Sequence, residues 1–159
     1  MAQEIERKFL VDTSRLPPLP VPFGITQGYL SDDPVVRVRL LTYPSTQGCG
    51  FLTIKGPGLL SRAEYEYEIP SKDATELLKL CKRQLRKNRH IIEVDGFKFE
   101  VDQFFYESGE TMLWMAEIEL ENELSPFPHP HWLGEEVTLD RAYTNVAIAN
   151  RNANISPSK

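Results

Sequence analysis

Histidine and cysteine are scarce: the 159-residue chain has three of the first and two of the second. Cys49 and Cys81 lie far apart and match neither zinc-ligand spacing nor a redox pair, so no thiolate-metal site or disulfide framework is indicated. His129 and His131 fall in a Pro-rich stretch, and His90 points to the strand face opposite Arg89, so no Ser-His or Cys-His arrangement is suggested. Apolar runs long enough to cross a bilayer are missing, and no membrane partner is expected. Glu4, Glu6, Arg7 and Lys8 stand where a secretory leader would carry a basic and then an apolar stretch, so the expected location is cytoplasmic. An excess of positive charge is also missing. With a formal net charge of −5, general nucleic-acid binding is not expected, and any phosphate has to be held locally.

What is present suits a globular protein, with 41% apolar and 26% charged residues. The length predicts a single domain over 1–159, its polar tail frayed from about residue 152. Strand alternation appears at 3–11, 25–31, 35–42, 50–55, 63–69, 85–94, 97–105 and 111–121, with a hairpin signal at Asp95-Gly96. Helical spacing appears at 71–83, where Ser71 can cap and Ala74, Leu77, Leu78 and Cys81 form a stripe. A second helix is predicted from Asp140, as cap, to about 150, with Tyr143, Val146 and Ala147 on one face. Pro-rich stretches at 16–22 and 125–130 read as loops, and Trp114 and Trp132 as packing residues. The chain is therefore expected to be mainly antiparallel β with two helices.

Residues two apart on a strand share a face. That rule groups Glu4, Glu6 and Lys8; Arg37 and Arg39; Thr53 and Lys55; Glu64, Glu66 and Glu68; Lys87 and Arg89; Lys98, Glu100 and Asp102; and Glu117, Glu119 and Glu121. The opposite faces are nearly all aliphatic or aromatic. Each strand alone could belong to an open sheet wet on one side. Taken together, the like charges clustered along single strands repel one another and cost stability unless a ligand offsets them. The alternative is a sheet closed into a barrel with its charges inward and a water-filled tunnel, because unpaired buried charges are too costly for a dry interior. Carboxylate clusters without His or Cys ask for a hard cation such as Mg²⁺ or Mn²⁺. Paired Arg and Lys ask for an oxyanion with several oxygens, so the pattern points to a metal-bound polyphosphate.

The run Glu4-Ile5-Glu6-Arg7-Lys8 resembles the ExExK signature of the triphosphate tunnel metalloenzymes, the CYTH superfamily. Further elements follow in that family's order: Arg37-x-Arg39, Lys55, Arg62-x-Glu64-x-Glu66, Lys87-x-Arg89, Asp102, Glu117-x-Glu119 and Tyr143-x-Asn145. Gln27-Gly28-Tyr29-Leu30 also recurs there, with Tyr29 expected near the tunnel. The resemblance implies an eight-stranded antiparallel β-barrel tunnel with a charged lumen and helices packed outside. It implies Glu4, Glu6 and Glu119 as metal ligands with Glu117 a second choice. Lys8, Arg37, Arg39, Lys55, Arg62, Lys87 and Arg89 would carry the phosphates. Glu64, Glu66 and Asp102 would position a second ion or the attacking water.

The expected activity is metal-dependent hydrolysis of a linear triphosphate, foremost inorganic tripolyphosphate to pyrophosphate and phosphate, with Mg²⁺ or Mn²⁺ as cofactor. The alternatives are an adenylate cyclase, whose family branch begins with a His-Phe pair missing here, a thiamine or nucleoside triphosphatase, and a non-catalytic polyphosphate-binding module. The expected partner is a small polyphosphate, and a homodimer is compatible with this reading.

Overall fold

The computed structural model describes residues 3–155, the side chains of 152–155 excepted. Its strands follow the alternating segments of the sequence: β1 (Gln3–Val11), β2 (Phe23–Asp32), β3 (Val35–Thr42), β4 (Cys49–Lys55), β5 (Ser61–Ile69), β6 (Arg83–Val94), β7 (Phe97–Phe105) and β8 (Thr111–Glu119). They pair antiparallel in the order β5-β4-β3-β2-β6-β7-β8-β1. β1 then turns back onto β5 through Gln3 opposite Ala63, Glu4 opposite Arg62 and Ile5 opposite Ser61, which closes an eight-stranded barrel. A ninth strand, β9 (Leu133–Glu136), was not foreseen; it lies beside the second half of β1. Its four residues, Leu-Gly-Glu-Glu, are too few to show alternation.

The outward faces carry the apolar residues. Ile5, Phe9, Phe99, Val101, Ala116, Ile118 and Trp132 form the main cluster. Trp114 packs against it and stacks on His90, whose Nδ1 sits 2.8 Å from the Pro20 carbonyl, so both are packing residues. His129 stacks on Phe127.

The first helix, α1 (Ser71–Leu78), is shorter than the spacing predicts. After Leu78 the chain tightens, with Leu80 N–H bonding the Leu77 carbonyl and Cys81 N–H the Leu78 carbonyl, and it then enters β6. Ser71 does not cap it: Pro70 holds the cap position without a side-chain bond. Ala74 and Leu78 bury on the outside of the barrel with Val38, Leu40, Leu52 and Ile69 around them. The approach is close because Gly50 lies beneath, where a Cβ would stand 2.7 Å from Ala74 Cβ and 3.0 Å from the Ile69 carbonyl.

The predicted second helix is two capped pieces. Asp140 accepts from Ala142 N–H at the head of a 3₁₀ turn, Arg141–Tyr143, and Thr144 Oγ1 accepts from Ala147 N–H at the head of α2 (Asn145–Ile155). Ile148 and Ala149 of α2 pack with Tyr29, Leu85, Phe104 and Met115. These four stand two residues from Gln27, Lys87, Asp102 and Glu117 on their strands and so share their inward face, and α2 stops one end of the barrel on its inner side. The tail expected to fray from about 152 begins inside α2, which is helical to Ile155; its remainder, 156–159, lies outside the described residues.

Gly50→Ala forces α1 off the barrel wall. Denaturant unfolding should show a loss of about 1–3 kcal/mol, the usual scale of overpacking. Turnover should change little, because the substitution adds bulk to the outer face only.

Candidate active site in the barrel

The inner faces of the strands form a cavity of about 200 Å³ lined by polar and charged residues. Its cations are Arg37 and Arg39 from β3, Lys55 from β4, and Lys87 and Arg89 from β6. Its carboxylates are Glu4 and Glu6 from β1, Glu64 and Glu66 from β5, Glu100 from β7, and Glu117 and Glu119 from β8. Asn145, the first residue of α2, completes the wall. The open-sheet alternative is thereby set aside, since the charged faces look into one closed space.

Most of these charges are buried and paired. Lys55 Nζ lies 3.0 Å from Glu4 and 3.4 Å from Glu64. Glu66 accepts from Arg39 Nη2 at 2.9 Å and from Thr53 Oγ1 at 3.0 Å. Asp102 takes two hydrogen bonds of 2.8 Å from Arg89, a bidentate pair, and lies 2.9 Å from Lys87 Nζ. Arg89 also reaches Glu100 at 3.0 Å, and Lys87 donates to Asn145 Oδ1 at 3.2 Å.

Three residues expected to touch the ligand do not line the cavity. Asp102 is 1% exposed, with both oxygens engaged by Arg89 and Lys87. Lys8 sits behind the wall, 3.6 Å from both Glu6 and Glu117. Arg62 is held at Glu4, 3.2 Å away, on the barrel's closing seam. Two cavity residues were missed as ligand candidates. Glu100 shares the inner face with Asp102, and the alternation already placed it there. Asn145 reaches the wall because α2 stops the barrel, which strand spacing does not reveal. Tyr29 lies under the cations, its hydroxyl accepting from Gln27 Nε2 at 2.8 Å.

The electrostatics show what the site lacks. Burial lowers Arg39 and Lys55, and in both cases Arg37 adds repulsion between cations. Burial also pushes Lys87 down to about 8 despite Asp102. Among the acids, burial and then Glu117 raise Glu6, while burial and then Glu4, Glu64 and Glu6 raise Glu119. Glu117 differs: burial acts to raise it, yet Lys8, Lys87 and Arg89 outweigh burial and hold it down to about 2. Arg37 Nε, Arg39 Nε and Glu117 Oε2 are shielded from solvent without a hydrogen-bond partner. Such groups are costly unless something binds them. The cations therefore favour an anion, and the Glu4, Glu6, Glu64 and Glu119 end favours a cation.

A closed antiparallel barrel with acids and bases facing one lumen defines a charged-tunnel protein, built to hold a multiply charged ligand. The particular family follows from comparison: a profile of the CYTH domain matches residues 2–145, and the chain belongs to the CYTH domain family. It is 39% identical over 148 residues to an inorganic triphosphatase of Acetivibrio thermocellus, covering 91% of this chain and 92% of that protein. It is 38% identical over 155 residues to an inorganic triphosphatase of Nitrosomonas europaea, covering 92% and 96%. A crystal structure of an inorganic triphosphatase superposes with a TM-score of 0.63 at 32% identity, covering 94% of this chain and 95% of that one.

The family implies dependence on a divalent metal cation. Among the described residues no three carboxylates stand pre-gathered as a ligand set, since Glu4 is drawn to Lys55 and Arg62. The donor chemistry nevertheless fits: the acids are oxygen donors without His or Cys, as a hard cation requires, and Glu6 and Glu119, raised by burial and then by neighbouring carboxylates, are the ones a cation would relieve.

Glu119 gives a test of that crowding. A carboxyl whose folded pKa lies above its unfolded value contributes stability at low pH that is lost as pH rises through the raised value. Glu119→Gln should therefore be more stable than wild type to denaturant at pH 7, with the difference closing near about pH 4, where the acid is largely protonated in both states. Equal stability at both pH values would remove repulsion as the cause.

Proposed function

We propose that this chain hydrolyses inorganic triphosphate to pyrophosphate and orthophosphate with the aid of Mg²⁺ or Mn²⁺. The observation that carries the reading is the convergence of five cations from three strands on one cavity whose remaining wall is acidic. The inorganic triphosphatases named above support it by their similarity over nearly the whole chain.

Phosphoryl transfer asks chiefly for aim and for neutralisation of the phosphoryl oxygens. In this reading Arg37, Arg39, Lys55, Lys87 and Arg89 grip the phosphates, and the partnerless Nε groups of Arg37 and Arg39 gain acceptors. Lys8 and Arg62 act from behind, keeping Glu6, Glu117 and Glu4 in place. Glu4, Glu6 and Glu119 would hold the divalent cation, with Glu117 the weaker choice because three cations already surround it. Such an ion would supply Lewis-acid stabilisation of phosphate charge. Glu64 and Glu66 position the attacking water. Asp102, with no free oxygen, serves by orienting Lys87 and Arg89.

The decisive experiment incubates purified protein with tripolyphosphate, ATP and thiamine triphosphate, each with Mg²⁺ or Mn²⁺. Phosphate release should be fastest from tripolyphosphate, stop with a chelator and disappear in Glu4→Gln and Glu119→Gln. Formation of cyclic AMP, or full activity in either variant, would overturn the reading.

A pH profile tests the phosphate grip. The charge of Lys87 is lost as pH rises through about 8. Because kcat/KM reports ionisations of the free enzyme, it should fall across that range. Lys87→Arg keeps its charge and should move the fall to higher pH; an unchanged profile would assign it to another group.

A further inference from the structure

Closure of the barrel leaves part of one strand edge open. β1 begins at Gln3 opposite Ala63, and β5 runs on past that point to Ile69. Over 64–69 it therefore has β4 on one side and, among the described residues, no strand on the other. The Ala63 carbonyl accepts from the N–H of Gly56, just after β4. Backbone groups alternate in direction along an antiparallel strand, so those of Glu64, Glu66 and Glu68 point to the open side. A row of unpaired groups of this kind is a template for another strand.

The two faces of this segment differ. Tyr65 and Tyr67 stand on the outer face, 44% and 56% exposed, beside Ile54 and Leu52 of β4. α1 covers Leu52 and Ile69 and leaves both tyrosines bare. On the inner face Glu66 is engaged by Arg39 and Thr53, whereas Glu68 is exposed and has no basic partner among the described residues. These charges decide what can dock. A second copy of the chain would meet β5 about a twofold axis, with the tyrosines of both copies on one side. Registers centred on Glu66, Tyr67 or Glu68 then each set one glutamate opposite another, which is unfavourable. A segment with Lys or Arg opposite the glutamates, and apolar residues between, suits both faces at once.

We propose that the open edge of β5 takes an extended segment of a partner protein by antiparallel strand addition, a segment in which Lys or Arg alternates with aliphatic or aromatic residues. Its basic side chains lie opposite Glu66 and Glu68, and its apolar ones lie against Tyr65 and Tyr67. Its backbone pairs with the open N–H and C=O groups of Glu66 and Glu68. The tyrosines and Glu68 lie outside the cavity, so this surface stands whether or not the chain hydrolyses triphosphate.

The probe is a fluorescently labelled peptide of about eight residues, alternating Lys and Val and long enough for one strand, titrated with the protein at low ionic strength and read by anisotropy. Wild type should bind it roughly tenfold more tightly than a peptide of the same composition with its Lys and Val in separate blocks, and than an alternating Glu–Val peptide. N-methylation of the Lys residues, whose N–H groups face β5 in this pairing, should abolish binding, while N-methylation of the Val residues should leave it within about twofold. Glu68→Lys should weaken the Lys–Val peptide roughly tenfold and admit the Glu–Val peptide, and Tyr67→Ser should weaken it roughly three- to tenfold. Equal binding of alternating and block peptides, or equal loss from both N-methylated forms, would reduce the effect to plain charge attraction and overturn the proposal. A dimer in sedimentation of wild type that Tyr67→Ser dissolves would also overturn it, assigning the edge to a second copy.

Discussion

Charge balance inside a closed sheet is the constraint on which this molecule depends. A barrel whose inner face is apolar can fill itself, but one whose inner face is Glu, Arg and Lys must neutralise each charge or bind something that does. Removing one partner of a buried pair leaves the other uncompensated, at a cost on the order of 3–5 kcal/mol. The pairs of Asp102 with Arg89 and Lys87, and of Glu4 with Lys55 and Arg62, meet that constraint within the chain. The crowding of Arg37, Arg39 and Lys55, and of Glu6 and Glu119, leaves it partly unmet. That remainder is what a bound anion and cation would settle, so folding and ligand chemistry are two parts of one electrostatic problem.

The network has depth as well as length. Behind the residues at the cavity surface stand Asp102, Lys8 and Arg62, each in contact with charged residues that line it. Asp102 shows the division: burial alone would raise its pKa, yet Arg89 and Lys87 hold it well below the usual carboxylate range. An acid so firmly ionised is poorly suited to exchanging protons and well suited to anchoring two cations.

Much of this was legible because strand alternation is local. Arg37 and Arg39, Lys87 and Arg89, and Glu117 and Glu119 each share a face by backbone geometry, and both face inward here. Glu100 was within reach of the same rule. What alternation cannot tell is depth, so Lys8, Arg62 and Asp102 could not be told apart from the cavity wall. Features set by distant packing were also hidden. Asn145 reaches the lumen because Ile148 and Ala149 bury against Leu85 and Met115. α1 stopped early for a local reason, the tightening of its last turn, which its apolar stripe did not signal.

The seam where β1 meets β5 has a wider meaning. It spans three residue pairs, and its middle pair is Glu4 opposite Arg62. The same short stretch thus closes the architecture and gives the charged cavity one of its wall residues, Glu4. A replacement of Glu4 therefore alters the lining of the lumen and the fastening of the cylinder together, because one side chain belongs to both.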